Sequence, residues 1–467
     1  MTCLNHASLA ASLAALTVAA DAAAASKPKS PAGKRPDVIV IMTDQQTAGA
    51  MSCAGNPWVR TPAMDALAAD GVRFTRAYCP YPLSGPCRAA LVTGRMPFEV
   101  RAFDNAIRPA DADMQAGIGH RLAEAGYECL YAGKWHVPEV NLPDSGTGFR
   151  RISKMNDPAL ADACDAALKE YDGQKPLFLV ASLLNPHEIC EYGRHETLQY
   201  GELAPFSTEE CPNLPANFMP STYAAEALTL EHASSPRYHD TYTYTQDDWR
   251  RYLYAYYRLV ERADREVGRI VGVLKAHGLY DDAAIVFLSD HGDGAAAHGW
   301  NQKWNLQEEV INVPLIVKPP KGAGLRGVRN DEALSNVGLD LYATVCDYAG
   351  VTPDLERYRG RSLRPVAEGR QATLHDEVFV ETLLPGPDMH GWSVVGPRYK
   401  YVLYQWGRNR EALYDLQDDP GEMVNLAVDR RYEAELNRLR RAMYDWGVRI
   451  GDPKLVRNLR PFAETRN

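Results

Sequence analysis

Near-continuous apolar runs constrain the fold of this chain more than any other feature. They are rich in β-branched and aliphatic residues and cover residues 37–44, 126–133, 176–185, 283–290 and 312–320. A strand buried on both faces needs apolar side chains on both, so each run predicts a strand inside a sheet. Helical patterns separate the runs, as at 64–71, 116–126 and 247–278. This alternation predicts an α/β fold with a large, mostly parallel, doubly wound sheet flanked by helices.

The last hundred residues follow a different pattern. Short apolar runs with turn residues between them lie at 375–427, and a helical pattern covers roughly 431–449. This arrangement is typical of a small antiparallel sheet followed by a helix. We therefore predict two folding units, an N-terminal domain over residues 36–364 and a smaller C-terminal α+β subdomain with an antiparallel sheet over residues 365–467.

The first 26 residues differ from the rest in carrying almost no charge. An apolar core at 9–20 is followed by small residues at 22–25, which is typical of a secretory signal peptide, although the usual Lys or Arg ahead of the core is absent. A disordered alanine-rich leader is the alternative. We expect export to the periplasm or the medium. No later stretch approaches the apolar length that a membrane span needs.

Charge and cysteine usage argue against several classes of protein. The net charge is −9, so the chain lacks the basic surface that nucleic-acid binding needs, and an anionic substrate would require a locally cationic pocket. The nine cysteines form no C-x-x-C pair, which argues against zinc ribbons and thioredoxin-like chemistry. Cys190 and Cys211 could form a disulfide, and buried free thiols are the alternative.

Chemically capable side chains follow four of the apolar runs. The first run ends at Asp44-Gln45, and the others lead to GKWH at 133–136, NPH at 185–187 and DHGD at 290–293. The carboxyl ends of parallel strands meet at one edge of a sheet, and ligands bind in the crevice there. We therefore expect these four groups to lie close together.

The four groups suit two kinds of ligand. Asp44 and Asp290, with the amide oxygen of Gln45 and a nitrogen of His291, would hold a hard divalent cation, although a single Asp at a strand end often only caps the next helix or turn. The side chains that would surround an anion with positive charge and donors are Lys134, His136, His187, His298 and Lys303. Any one of these histidines alone would indicate no more than a partly buried imidazole.

Residues 82–95, PLSGPCRAALVTGR, offer Ser84 and Cys87 as nucleophiles. Pro86 suits the first turn of a helix, so Ser84 lies at the helix start, where backbone N–H groups and the helix dipole attract an oxyanion. Arg88, one turn further on, can steady the nucleophile, whereas Cys87 faces elsewhere. This geometry favours Ser84, with a plain helix cap as the alternative.

The same stretch resembles the signature of the type I sulfatases, C/S-x-P-S/x-R-x-x-L-x-T-G-R. The positions that match in register are Ser84, Pro86, Arg88, Leu91, Thr93, Gly94 and Arg95. A second family signature, a strand leading into G-K-x-H, matches residues 133–136. The segments PDVIVIMTDQQ, LLNPH, SDHGDG and LYDLQDDPGEMVNL extend the resemblance over nearly the whole mature chain.

The resemblance implies an alkaline-phosphatase-like fold and a formylglycine-dependent sulfuric ester hydrolase. Ser84 would be oxidised to formylglycine by a maturase, which makes the chain similar to the serine-type members, and the hydrated aldehyde would attack sulfur in a two-step covalent mechanism. The resemblance also implies one divalent cation, Ca²⁺ before Mn²⁺ or Mg²⁺, bound by the modified residue together with Asp44, Gln45, Asp290 and His291. Gln45 and His291 depart from the usual Asp and Asn, and a nitrogen donor weakens the argument for calcium.

The resemblance assigns roles to five further side chains. Arg88 and Lys134 would hold the modified residue, and His136 would remove a proton during sulfate release. His187 and Lys303 would contact the sulfate and the leaving oxygen, with His187 as general acid.

Two other functions remain open at this point. Phosphate and phosphonate ester hydrolases share the expected fold and metal site, DQQ with Asp-His resembles phosphonate monoester hydrolases, and an unmodified Ser84 could attack phosphorus directly. A non-catalytic carbohydrate-binding relative is the other alternative, although such a protein has no physical need for both lysines and both aspartates.

The expected substrate is a small-molecule or oligosaccharide sulfate ester. Aromatic and hydrogen-bonding side chains in loops suit a sugar ring, and the candidates here are Tyr192, Trp300, Trp304, His390 and Trp392. The same residues could be structural, and an aryl sulfate would fit similar walls.

Overall fold

The computed structural model of the chain describes residues 35–107, 109–137, 146–234, 240–354 and 357–463. The signal peptide predicted over residues 1–26 lies outside the described residues. Among the helices that the structure describes, none has the length and apolar character needed to cross a membrane.

The strands, in chain order, are β1 (Val38–Asp44), β2 (Val72–Phe74), β3 (Ala77–Tyr78), β4 (Glu128–Gly133), β5 (Arg150–Ser153), β6 (Leu177–Pro186), β7 (Ala284–Ser289), β8 (Leu315–Lys318), β9 (Val328–Asn330), β10 (Ser335–Asn336), β11 (Val378–Leu384), β12 (Met389–Val395), β13 (Tyr399–Tyr404) and β14 (Glu411–Asp415). The helices are α1 (Pro62–Ala69), α2 (Ser84–Thr93), α3 (Pro97–Val100), α4 (Asp111–Gln115), α5 (Ile118–Glu124), α6 (Asp157–Glu170), α7 (Ile189–Gly193), α8 (Glu226–Ser234), α9 (Gln246–Ala276), α10 (Glu308–Ile311), α11 (Val337–Tyr348), α12 (Arg364–Ala367), α13 (Glu433–Ile450) and α14 (Pro453–Ala463).

Eight strands form the large sheet, in the order β5-β4-β6-β1-β7-β8-β2-β9. The strand β1 pairs in parallel with β6 and with β7, and β4 pairs in parallel with β6. The prediction of a large, mostly parallel sheet flanked by helices is therefore confirmed. The run at 312–320 forms β8, which is antiparallel to both of its neighbours. A single 3-10 turn at Ala297–Gly299 and the short helix α10 lie between β7 and β8, so no long helix returns the chain to the other edge of the sheet and β8 runs back from the carboxyl edge.

The central strand β1 separates two apolar layers, because successive side chains point to opposite faces. Val38, Val40 and Met42 belong to one layer, and Ile39 and Ile41 belong to the other. All seven residues of β1 are buried, as a strand covered on both faces requires. The long helix α9 packs on the second layer through apolar residues that recur every three or four positions.

The C-terminal part contains the separate antiparallel sheet that the sequence predicts. Its strands follow the order β11-β12-β13-β14, and α13 packs its apolar stripe against Trp392, Tyr401 and Leu413 of this sheet. The division predicted at residue 364 falls inside α12, whose Val366 and Ala367 pack in the core of the large sheet. The structure therefore joins the two parts closely, and the exact division stays a prediction.

Gly133 ends β4 in a conformation that side chains with a Cβ avoid. Its φ is +90°, and a Cβ there would lie 2.0 Å from the carbonyl oxygen of Ser182. We expect Gly133→Ala to lower the free energy of unfolding by about 3 kcal/mol, from backbone strain plus overpacking. Gly173→Ala is the control, because Gly173 has a φ of +74° but open space around it, and its cost should be about 1 kcal/mol. If urea unfolding shows the same loss of unfolding free energy in Gly133→Ala and Gly173→Ala, the steric argument is contradicted.

Candidate active site

Three of the predicted metal ligands meet at the carboxyl edge of the large sheet. Asp44 is the last residue of β1, while Asp290 and His291 directly follow β7, the neighbouring strand. One ligand atom from each lies within 4.8 Å of the other two, and all three side chains are buried. The expected convergence of these strand ends is thus present in the structure.

Ser84 lies beside this trio at the first position of α2. Its Oγ is 3.2 Å from Oδ2 of Asp44 and 3.0 Å from Nε2 of His291. Nδ1 of His291 is 2.9 Å from the carbonyl oxygen of Gly292, which can only accept a hydrogen bond. The proton therefore belongs on Nδ1, and Nε2 presents its lone pair to Ser84 and the two aspartates.

Arg88 connects the two aspartates. Its Nη2 donates to Asp44 Oδ2 and its Nε donates to Asp290 Oδ2, both at 2.8 Å. Its Nη1 donates to the Ser182 hydroxyl and to the carbonyl oxygen of Lys134. Among the described residues, no hydrogen bond joins Arg88 to Ser84, so its contacts are those of a residue that positions the carboxylates.

Burial and neighbouring charges divide the pKa values of the two aspartates. Burial alone would raise the pKa of Asp44, but the charges of Lys134, whose Nζ is 2.7 Å from Oδ2, and of Arg88 hold it well below its usual range. Burial and the charge of Asp44 raise the pKa of Asp290 to about 7. Two buried carboxylates this close favour a further positive charge between them.

The side chain of Gln45 is oriented differently from the prediction. Its Oε1 accepts hydrogen bonds from Lys303 Nζ at 2.8 Å and from Cys190 Sγ at 3.2 Å. Its Nε2 donates to Asp293 Oδ2 at 2.8 Å. Cys190 Sγ is also 2.9 Å from Gln302 Oε1, so its single hydrogen serves only one of the two oxygens. The amide oxygen of Gln45 is thus occupied by Lys303 in this conformation, and its role as a metal ligand stays a prediction. Only its backbone N–H reaches the site, as a donor to Asp290.

Lysines and neutral imidazoles also lie close to Asp44 and Gln45. Burial, Lys303 and Lys134 hold the pKa of His187 well below its usual range. Burial and Lys134 lower the pKa of His136 to about 3. His187, which follows β6, is still about one-fifth exposed through its side chain. The structure thus gathers Lys134, His136, His187 and Lys303 as expected, with both imidazoles neutral near pH 7.

His298 lies in a different cluster from the other predicted anion-binding residues. Its ring neighbours Glu309 and Glu422, and its pKa falls to about 4 through burial and the charge of Lys400. Among the described residues, no hydrogen bond or ion pair joins it to Ser84 or Lys134. A substrate-binding role for His298 therefore stays a prediction.

The tryptophans considered for the pocket mouth are buried. Trp300 is 3% exposed and stacks on His232, and Trp392 is 3% exposed and donates its indole N–H to Asp452. Trp304 is also buried. These three side chains are therefore structural, which was the stated alternative.

The thiols and one further acid complete the surroundings of the site. All eight cysteines of the described residues are free, so Cys190 and Cys211 are unpaired. Asp293 is fully buried and accepts hydrogen bonds from Gln45 and from the Tyr252 hydroxyl of α9. The DHGD motif already singled out Asp293 in the sequence, whereas no sequence pattern pointed to Tyr252 as a residue near the site.

The chemistry of the donor set fits a divalent cation. Two buried carboxylates and an imidazole with its lone pair turned inward provide oxygen and nitrogen ligands, and Ser84 Oγ adjoins them. The residues that would hold the ion are Asp44, Asp290 and His291, with residue 84 beside it.

Comparison with known proteins identifies the family. A family model described as Sulfatase matches residues 36–351. The chain belongs to the sulfatase family. A model described as the C-terminal part of N-sulphoglucosamine sulphohydrolase matches residues 296–448 of this sulfatase.

Named sulfatases of similar length are among its relatives. Delta 4,5-hexuronate-2-O-sulfatase of Bacteroides thetaiotaomicron is 29% identical over 468 residues and is covered to 93%, as is this chain. N-acetylglucosamine-6-O-sulfatase of the same organism is 25% identical, with 93% of this chain and 89% of the relative covered. The sulfatase is therefore a sulfuric ester hydrolase, as the sequence signatures predict.

Solved structures show the same fold. A 2-O GAG sulfatase superimposes with a TM-score of 0.79 and 27% identity over 90% of this sulfatase and 93% of its own chain. The phosphonate monoester hydrolase of Agrobacterium radiobacter gives a TM-score of 0.71 at 22% identity, over 89% and 96% of the two chains. The second likeness shows a shared architecture only.

The low pKa of His136 makes stability depend on pH. Between pH 6.5 and about 3, the unfolded chain binds a proton at His136 that the folded protein does not. This contribution to stability is complete above pH 6.5 and is lost as the pH falls. At pH 5 we expect the loss from this residue to be on the order of 2 kcal/mol. Urea unfolding at pH 7 and pH 5 should show a smaller pH effect in His136→Gln than in the wild type; equal effects would contradict the assignment.

Proposed function

We propose that this sulfatase hydrolyses sulfate monoesters of carbohydrates through a formylglycine made from Ser84. The placement of Ser84 Oγ, 3.2 Å from Asp44 and 3.0 Å from His291, carries the proposal, because a nucleophile there would lie at the cation site. The named actions of the two Bacteroides relatives on a hexuronate 2-O-sulfate and on N-acetylglucosamine 6-O-sulfate support a sugar substrate.

Each charged side chain around Ser84 has a task in this reaction. A bound divalent cation would withdraw charge from the sulfuryl oxygens. Arg88 fixes both aspartates toward that position and offsets part of their negative charge. Lys134 and Lys303 supply positive charge for the dianionic transition state in a buried, weakly screened site. Because His136 is neutral near pH 7, it can accept a proton from a hydroxyl on residue 84.

His187 fits the role of general acid once substrate is bound. In the free protein, burial and two lysines keep its imidazole unprotonated. A sulfate group between those lysines neutralises their charge, which raises the pKa of His187 and lets it protonate the leaving oxygen. Substrate binding would thus favour the protonated form of His187, which is the form that can act as general acid.

The identity of the ion and the location of the protein form part of the same proposal. We propose Ca²⁺ as the resident cation, with Mn²⁺ or Mg²⁺ as alternatives, since two of the three donors are hard carboxylates. We also propose export to the periplasm or the medium, on the signal-like composition of residues 1–26.

Modification of Ser84 can be measured directly. Oxidation of the serine to formylglycine removes two hydrogens, so mass spectrometry of the proteolytic peptide that contains Ser84 should detect this loss after co-expression with a maturase that accepts serine. The modified protein should release sulfate from a panel of 2-O- and 6-O-sulfated saccharides, and Ser84→Ala should release none. Activity with an unmodified Ser84, or a preference for a phosphonate diester, would instead support the phosphoryl-transfer alternative.

The leaving group tests the general acid. We expect His187→Ala to lower kcat on a sulfated sugar by about a hundredfold or more, because the sugar alkoxide needs a proton. An aryl sulfate such as 4-nitrophenyl sulfate has a good leaving group, so kcat of His187→Ala on this substrate should fall far less. Glu191→Gln is the matched control, since Glu191 Oε2 lies 3.9 Å from His187 Nδ1 without touching the cation site. Equal losses on both substrates in His187→Ala would contradict the role.

A further inference from the structure

We propose that His298, Glu309 and Glu422 form a second divalent-cation site, separate from the one at Asp44, and that Zn²⁺ is its occupant. One ligand atom from each residue lies within 4.8 Å of the other two. The sulfatase reaction assigns no task to this cluster, so the inference stands apart from the proposed function.

Unpartnered ligand atoms point into the cluster. His298 is 8% exposed and Glu422 is 1% exposed. Within the part of the chain that the structure describes, neither ring nitrogen of His298 has a hydrogen-bond partner, and the same holds for Oε2 of Glu309. Buried polar atoms without a partner are destabilising, and a shared cation would satisfy one ring nitrogen of His298 together with Oε2 of Glu309.

The remaining carboxylate oxygens are held in place by other groups. Asn217 Nδ2 donates to Glu309 Oε1, and the backbone N–H of Glu308 donates to Glu422 Oε2, both at 2.8 Å. These bonds fix the two carboxylates. Within the described residues, Oε2 of Glu309 is left without a hydrogen-bond partner, and Oε1 of Glu422 is shared with Lys400 Nζ at 2.6 Å. Neighbouring hydrogen bonds thus hold the two carboxylates of the cluster in fixed positions.

The charges around the cluster do not balance without a cation. Lys400 Nζ lies 2.6 Å from Glu422 Oε1 and 3.0 Å from Glu308 Oε1. Glu308, Glu309 and Glu422 carry three negative charges when ionised, and Lys400 supplies one positive charge. The cluster is thus left with a net charge of −2, which one divalent cation would neutralise. The competing solution is a proton on Glu309 or Glu422, whose pKa values burial raises.

An imidazole with two carboxylates is a ligand set that zinc accepts, and three protein ligands leave a fourth position for water. A zinc-bound histidine usually donates its other ring N–H to a carbonyl. The backbone carbonyls of Met219 and Gly421 lie beside the His298 ring and can take this role.

The ligands come from three separate parts of the fold. His298 belongs to the loop after β7, Glu309 to α10, and Glu422 to the turn after β14 in the C-terminal part. Gly292, next to the catalytic His291, donates its N–H to the carbonyl oxygen of Val310 in the same α10. A cation here would join the C-terminal sheet to the segment that carries the catalytic ligands.

The test uses the full chain, treated with a chelator and then titrated with Zn²⁺ alone, with bound metal measured per chain. An Asp44→Asn background removes a ligand of the catalytic site. This variant should still bind one Zn²⁺ and should gain thermal stability from it. Adding Glu422→Gln should weaken that binding by more than about tenfold and abolish the gain. Adding Glu433→Gln, an exposed glutamate of α13, is the control and should change neither.

His298→Gln in the Asp44→Asn background is the second ligand variant, and near-UV circular dichroism shows whether each variant is folded. Loss of zinc binding in a folded Glu422→Gln or His298→Gln variant supports the site. The proposal is wrong if Asp44→Asn binds no Zn²⁺, or if folded ligand variants bind it as Asp44→Asn does. All variants keep the same cysteines, so binding by thiols cannot produce the expected difference.

Discussion

The buried contact of Arg88 with two aspartates is the interaction on which the rest of the site depends. The guanidinium binds Asp44 and Asp290 at 2.8 Å and is itself almost fully buried. Without this positive charge, the two carboxylates at neighbouring strand ends would repel each other strongly, because they are buried where water cannot screen their charges. Removing one partner of such a buried network leaves an uncompensated charge, which typically costs 3–5 kcal/mol. Arg88 therefore combines a stability role with the geometry of the cation site.

The site also sets opposite charges next to each other along the sheet edge. Asp44 and Asp290 lie beside His291, while Lys134 Nζ contacts Asp44 at 2.7 Å and Lys303 Nζ contacts the neighbouring Gln45 at 2.8 Å. The histidines next to the lysines are neutral because burial and the ammonium groups both disfavour their protonation. An anionic ester bound beside the two lysines would offset their charge and raise the proton affinity of His187. Binding and proton transfer are thus linked through the same two charges.

Strand positions and the residues that end them were predictable from sequence, because buried parallel strands require long apolar runs and their carboxyl ends share one edge. Asp44, Ser84, Lys134, His187 and Asp290 follow from that rule together with the family signatures. The direction of the Gln45 amide did not follow, since it depends on Lys303 and Cys190, which are distant in sequence. The surroundings of His298 did not follow either, because its neighbours come from α10 and the C-terminal turn. Burial of the tryptophans likewise depends on tertiary contacts.

The pairing of β1 with β7 fixes the width of the cation site. Thr43 pairs with Ser289, so Asp44 and Asp290 continue adjacent hydrogen-bonded strands by one residue. Neighbouring strands keep a spacing of about 4.8 Å, set by the peptide hydrogen bonds. The strand spacing therefore sets the distance between the two aspartates that would bind the ion. A wider cation site would require two central strands to separate. Evolution of a different ion preference in this scaffold has to proceed by changing side-chain length or donor atom at these two positions, with the backbone left as it is.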